Sequence, residues 1–343
     1  MKQQHPSAVG FKAVVGSVTL EQVNTSGLRS IIVQDHVDMA SECTIIIGRS
    51  ETDPKMNFKI GDPAEAYIAT SDEPLFKGEI IAIEHSFQIQ GTSTMIVRCV
   101  DHVHRLGRGR KTRHWNEITD SAVAQEVGAE SGLSVEADPT EETHPYILQR
   151  NESNIAFLKR LASRNNFQVR VEKDKLVFKK ATYSGQAQNI QMGKDVVSMN
   201  MNYNSSGQVQ KVVVQGWSVK DKKEIIGTAS ISDVSKIGGG ELGGQSSALF
   251  GDSVAYVTDV PVLTQGMADN IAKAEMERHA RQFCRGRCEV RGNSAIRAGG
   301  TINISGFSQG LNGSYYVIGT RHSVNAQRGY NTEITFCSNT QGA

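Results

Sequence analysis

The chain has little proline, few aromatic residues, almost no net charge and no long apolar run. Seven prolines stand against 33 glycines in 343 residues, and aromatics make up 6%. That balance suits many strands and many turns. With 37 basic and 36 acidic residues the formal net charge is +1, which excludes whole-molecule electrostatic attraction to nucleic acid or membrane and leaves only local patches. Five cysteines (Cys43, Cys99, Cys284, Cys288, Cys337) are odd in number, scattered, and contain no C-x-x-C pair, so they form no disulfide framework. Lys12 interrupts the only apolar stretch near the N-terminus. No segment reads as a signal peptide or a membrane span, and folding in a reducing cytoplasm is the expectation.

The length suggests two to three domains with ample buried cores. Residues 10 to about 105 read as short strands separated by turn residues, including a Ser71-Asp72-Glu73-Pro74 turn. That rhythm predicts a barrel or sandwich. From 105 to 185 the character changes. Thr119 or Asp120 can cap a helix through Val123, Ala124 and Val127, which Gly132 can end. Ile155, Leu158, Leu161 and Ala162 recur at helical spacing after a cap at Asn151 or Ser153, and Asn165-Asn166 stops that helix. Phe167, Val169 and Val171, then Leu176 and Phe178, alternate as two strands around a Lys173-Asp174-Lys175 turn. From 190 strands return. A charged turn at Lys220–Lys223, a flexible glycine-rich loop (Ser235 to Gly251) and a helix from about Gln265 to Phe283, capped by Thr264, interrupt them. The order excludes a doubly wound parallel sheet and fits an α+β chain that is mainly β.

Four patterns invite a chemical reading, and each has a plainer one. Gly306-Phe307-Ser308-Gln309-Gly310 matches the nucleophile elbow, but that motif needs a helix after the serine and here a hairpin follows. Gly238 to Gly243 satisfies G-x-G-x-x-G without a periodic helix behind it, which favours a surface loop. Cys284 and Cys288, with His279 nearby, lack a second ligand pair. Asp101-His102-Val103-His104 puts two imidazoles on one side of a strand. Both read as packed or solvated groups before metal ligands. No paired carboxylates can be positioned and no H-E-x-x-H occurs. Arg105 to Trp115 is the strongest basic cluster. Its segment 105–113 can contact phosphates, or serve as a linker or partner surface, and the neutral total favours the latter. The residues therefore yield no catalytic, cofactor-binding or metal-binding assignment.

Several segments together resemble the bacteriophage late control gene D proteins, the baseplate hubs of contractile tails and injection particles. They are Phe58 to His85, Arg110 to Leu133, Tyr146 to Phe178, Val212 to Ala229 and Ala298 to Phe336. The most specific are the Asn151-Glu152-Ser153 helix start with its two strands and the terminal Gly329-Tyr330-Asn331-Thr332. The resemblance implies two related β-barrel domains, at 1–108 and 189–343, around an α/β module at 109–188, with a loop and helix insertion in the second barrel around 220–284. It implies a structural homotrimer that adapts a sixfold tail tube to a threefold spike. Its partners would be itself, the tube protein, the spike and other baseplate proteins, with no cofactor and no membrane anchor. Because the chain ends at Ala343, soon after Phe336, a separate spike polypeptide is expected, which favours phage-like or bacteriocin-like particles. Two other classes compete: a particle-delivered cell-wall hydrolase using the loop-rich region 230–260, and a nucleic-acid-binding module using 105–113.

Overall fold

A computed structural model describes residues 10–21, 27–48, 57–68, 73–88, 93–172, 175–183, 185–219, 221–307 and 310–341. The period-two alternation becomes strands from the start: β1 (Phe11–Val15), β2 (Val18–Glu21), β3 (Leu28–His36), β4 (Glu42–Gly48), β5 (Pro63–Ile68), β6 (Phe76–Ser86) and β7 (Thr94–Val100). In β4 the buried positions Cys43, Ile45 and Ile47 alternate with more exposed neighbours, as a one-sided strand requires. The middle of the chain holds β8 (Lys111–Thr119), α1 (Asp120–Glu130), β9 (Ser134–Ala137), β10 (Thr143–Glu152), α2 (Asn154–Ser163), β11 (Phe167–Glu172) and β12 (Lys175–Lys180). Then follow β13 (Gln188–Gln191), β14 (Val196–Tyr203), β15 (Lys211–Ser218), β16 (Lys223–Ser230), α3 (Gly243–Ser247), β17 (Val254–Val257), α4 (Gln265–Ala280), β18 (Cys284–Arg291), β19 (Thr301–Ser305), β20 (Gly313–Asn325) and β21 (Gly329–Ser338). The fold is α+β and mainly β.

Both ends of the chain enter one 13-stranded sheet, ordered β14-β18-β21-β20-β3-β4-β7-β6-β5-β1-β2, with β13 attached through β19 to β20. β20 makes this possible by its length. Its first residues pair with β19, Gly319 to Asn325 pair with β3, and its other edge carries β21. Two cores lie along the sheet. One gathers Ile31, Val33, Ile45, Ile47, Met95 and Val97; the other gathers Cys284, Cys288, Ile302, Ile304, Val317 and Phe336. Val324 and Tyr330 reach from β20 and β21 into the first core, so the two are stitched together at that seam.

The middle segment has its own core of Val123, Val127, Phe157, Leu158, Leu161 and Phe178. α2 forms where the apolar spacing places it, and its cap is Ser153, whose hydroxyl accepts from the Ala156 N–H at 3.3 Å. Asn166 closes the turn after it at φ 55°. The Lys173-Asp174 part of the expected turn, like Ser71-Asp72 and Lys220, lies outside the described residues, while β11 and β12 pair antiparallel on either side of it. Thr119 caps α1 and Thr264 caps α4.

Three readings from the sequence are corrected. The segments around Arg110–Trp115 and His144-Pro145 are not linkers and loops but β8 and β10, an antiparallel ribbon. Both strands are largely polar, so neither shows the alternation that reveals a half-buried strand. His102 and His104 lie on a 3-10 helix, His102–Gly107, and not on a strand, because Asp101 caps that turn by accepting from the Val103 N–H. The glycine-rich stretch is a pinned segment containing α3. Leu242 bridges to Thr340 and the Gly243 N–H donates to the Asn339 carbonyl. Its glycines serve close approach. A Cβ on Gly240 would sit 1.7 Å from the Gln341 carbonyl oxygen.

Between β14 and β18 the chain makes an excursion with a separate sheet, β16-β15-β17, covered by α4. The sequence places a loop and helix insertion at 220–284; the excursion occupies 204–283. Gly227 lets α4 lie directly on β16, since a Cβ there would come within 2.3 Å of the Ala268 carbonyl carbon. Gly227→Val should therefore destabilise the fold by about 1–3 kcal/mol, read as a lowered urea midpoint.

At the start of α1, Asp120 is fully buried and accepts hydrogen bonds from His144, from Arg164 (2.7 Å to Nε) and from Asn165 (2.7 Å). Burial by itself would raise its pKa, but the hydrogen bonds from His144 and Arg164 outweigh that and hold it at about 2. A carboxylate held below its unfolded value stabilises the fold above that value, and the contribution disappears as pH falls toward 2. Asp120→Asn should cost about 2 kcal/mol at pH 7, and the difference from wild type should vanish near pH 2 in urea titrations.

Candidate assembly interface

The motifs singled out in the sequence do not converge. Gly306 and Phe307 sit in the turn between β19 and β20, where the Asn312 amide bridges both polar groups of the Phe307 backbone; Ser308 lies outside the described residues. Cys284 and Cys288 face the second core, and burial pushes their thiols up to about 12 and about 11. All five cysteines are buried and unpaired, so none is a poised thiolate. His279 points elsewhere, its Nδ1 meeting the Gly207 carbonyl at 3.0 Å. His104 meets the Glu79 carboxylate at 3.1 Å, and Arg105 shares that carboxylate. Among the described residues no group of three or more His, Cys, Asp or Glu side chains is placed to hold a metal ion, and no helix is long and apolar enough to cross a membrane.

Part of the basic segment is paired in place. Arg113 donates to Glu130 at 2.6 Å and to Gln149 at 2.8 Å, and Lys111 joins Glu130 at 3.2 Å. The guanidinium of Arg113 also stacks over Trp115, 4.6 Å from its centroid. Trp115 in turn stacks on Phe157 at 5.3 Å and donates its indole N–H to Glu126. The aromatic ring that would stack a base is thereby occupied by the module's own packing, and Arg105, Lys111 and Arg113 have carboxylate partners, while Arg110 donates to the Asn151 carbonyl.

What stands out is the repetition within the sheet. Along the N-terminal part the order is β3-β4-β7-β6-β5-β1, and along the C-terminal part it is β14-β18-β21-β20-β19-β13. Each strand of one series takes the same place in chain order as its counterpart. The pairings agree in sense except the last, β5–β1 being antiparallel and β19–β13 parallel. The irregularities coincide as well. β6 bulges between Ile80 and Ala82 against β7, and β20 between Val317 and Gly319 against β21. β3 bulges between Leu28 and Ser30 opposite Ile47, and β14 between Val196 and Ser198 opposite Val290. A bulge shifts every later side chain along its strand, so matching bulges fix one residue-by-residue correspondence. It places His85-Ser86 against His322-Ser323.

The seam between the two series is buried and polar at its centre. His322 is fully buried; its Nε2 meets the Ile296 carbonyl at 3.0 Å and its Nδ1 the Tyr330 hydroxyl at 2.9 Å and the Thr332 hydroxyl at 3.1 Å. A ring that donates to a carbonyl and accepts from a hydroxyl is neutral. Burial, helped by the nearby Arg297 cation and opposed by Asp35, lowers its pKa to about 4.

A family model, the Alg8 N-terminal domain, matches residues 21–326. The chain belongs to the Alg8 N-terminal domain family. No curated protein matches it in sequence. Among solved structures, the 43 kDa tail protein of prophage MuSo2 from Shewanella oneidensis is similar to this chain with a TM-score of 0.74 and 14% identity, over 96% of this chain and 98% of that one. A tail protein from Neisseria meningitidis MC58 gives 0.74 and 12% identity over 97% of each chain. The E. coli c3393 protein, a component of the type VI secretion system, gives 0.65 and 12% identity over 97% of this chain and 79% of that one. The chain therefore shares the fold of these tail and secretion proteins.

A base whose folded pKa lies below its unfolded value costs stability as pH falls between the two. The chain should lose about 3 kcal/mol between pH 6.5 and 4 from His322 alone. His322→Asn should lower stability at pH 7 and flatten that part of the profile, which urea unfolding at stepped pH will read.

Proposed function

We propose that this chain is a structural component of the baseplate of a phage tail or a phage-like injection particle, where it serves as a homotrimeric hub. The observation that carries the reading is the repeated strand order, bulges included, within one polypeptide. The reading divides the chain into two related β-barrel domains, at 1–108 and 189–343, and an α/β module at 109–188. Three copies then supply six similar sheets to a sixfold tail tube while keeping true threefold symmetry for a trimeric spike. The shared fold with two phage tail proteins and a type VI secretion component supports this placement, as does the resemblance of Phe58–His85 and Tyr146–Phe178 to late control gene D proteins.

A hub of this kind needs no catalytic group. The occupied Trp115 ring and the paired Arg105, Lys111 and Arg113 weigh against the nucleic-acid reading of 105–113. The partners are further copies of itself, the tube protein, the spike and neighbouring baseplate proteins, and assembly takes place on particles made in the bacterial cytoplasm. Electron cryomicroscopy of the parent particle should place three copies on the tail axis between tube and spike, with six similar sheets around the channel. A position off the axis, or another copy number, would overturn the proposal.

A further inference from the structure

We propose that copies of this chain join by strand addition, β14 of one copy pairing antiparallel with β6 of the next in the register that β3 and β20 use inside a single chain. This deepens the ring reading above and rests on it; it names the contact that closes the ring.

The correspondence fixed by the bulges carries the argument. β3 corresponds to β14 and β20 to β6. Within the chain, β3 and β20 pair from Gly319 opposite His36 to Asn325 opposite Ser30. Their counterparts do not meet in one chain. Among the described strands β14 pairs with β18 alone, and β5 with the Gly61–Asp62 backbone covers β6 only from Phe76 to Ile80, so no described strand pairs with the outer edge of its remaining residues. Every seam of this kind needs one β3-like and one β6-like edge. Each chain therefore satisfies one seam internally and presents one half of the next at either end. The two halves are different surfaces, so the contact is head-to-tail and can close into a ring. An exposed ladder edge is a template for adding a strand, and here the template has a matching partner on the same molecule.

The side chains agree with the transferred register. On one face it sets Ile83 opposite Tyr203, His85 opposite Met201 and Phe87 opposite Met199. On the other it sets Glu84 opposite Asn202 and Ser86 opposite Asn200. Apolar and aromatic groups meet on one face and polar groups on the other, which is what a one-sided sheet requires. The internal seam has the same division, with Val33, Ile31 and Val324 all buried on its inner face. The contrast at one equivalent pair is sharp: Val324 is 1% exposed, while its counterpart Phe87 is 64% exposed. Val324 packs into the neighbouring core of its own chain, and the proposal gives Phe87 the same place in the second core of the adjoining copy.

The test is a cysteine pair across the predicted seam. The native cysteines are buried and unpaired, so Ser86→Cys with Asn200→Cys adds the only accessible thiols among the described residues. Directly opposed strand positions are close enough for a disulfide. Mild oxidation at high protein concentration should give covalent oligomers on a non-reducing gel. Either single variant, and the pair Ser86→Cys with Met201→Cys one residue out of register, should give none. Phe87→Glu should weaken self-association at least tenfold without moving the thermal midpoint of the isolated chain. No cross-link in the in-register pair, or equal cross-linking in the shifted one, would overturn the proposal. Sedimentation of the same samples separates the two readings. Oligomers without the cross-link discard this contact and keep the ring. Cross-linked rings of a number other than three keep the contact and discard the trimer. Monomers without a cross-link discard both.

Discussion

Everything in this fold depends on one strand being shared. β20 pairs with β19 at its start, with β3 along the rest of the same edge, and with β21 on the other. Without its Gly319 to Asn325 ladder the N-terminal and C-terminal strand series would be two separate sheets. The chemistry at that ladder is unforgiving. A fully buried histidine stays neutral because its ring satisfies a carbonyl and a hydroxyl at once, and an acidic side chain, Asp35, meets the Arg297 guanidinium at 3.1 Å beside it. Buried polar groups of this kind cost little while all are paired and a great deal when one is not. They make the seam specific to one register.

The repeated order explains how one polypeptide comes to need such a seam. Two similar sheets placed edge to edge share an interface of the kind that separate copies would share. Their pairings and bulges coincide except that β5–β1 is antiparallel and β19–β13 parallel, and the larger differences fall in what is inserted. Where the first series turns from β3 to β4 through Val37–Ser41, the second sends out the 204–283 excursion with its own core of Val212, Val214, Ile271 and Ala272. The middle module is likewise an insertion between β7 and β13, anchored by the backbone N–H of Val169 donating to Asp38 and by Gln168 meeting Tyr316 in the interior. Insertions at strand connections leave the ladders intact, which is why the sheet tolerates them.

Fold retained at 12–14% identity fits the same account. The ladders need alternation and well-placed bulges, and many sequences supply both. Residues that fix more than alternation include Gly227 under α4, Gly240 against the Gln341 backbone beyond β21, Asp120 at the start of α1 and His322 at the seam.

The sequence by itself determined the class and the local elements. Period-two alternation announced β11 and β12, helical spacing and a hydroxyl cap announced α2, and Thr119 and Thr264 announced α1 and α4, because those signals act over a few residues. The ribbon β8–β10 was silent, since both of its faces carry polar groups, and the pinning of the glycine-rich stretch was silent, since its partners lie a hundred residues away at Asn339 and Thr340. For the candidate interface, β6 was visible as a strand while its role as an open edge was not. Which edge is paired, and that two strand series repeat each other, follows from long-range register. Hydrogen-bond partners distant in sequence leave no mark on local composition, so only the tertiary structure could decide them.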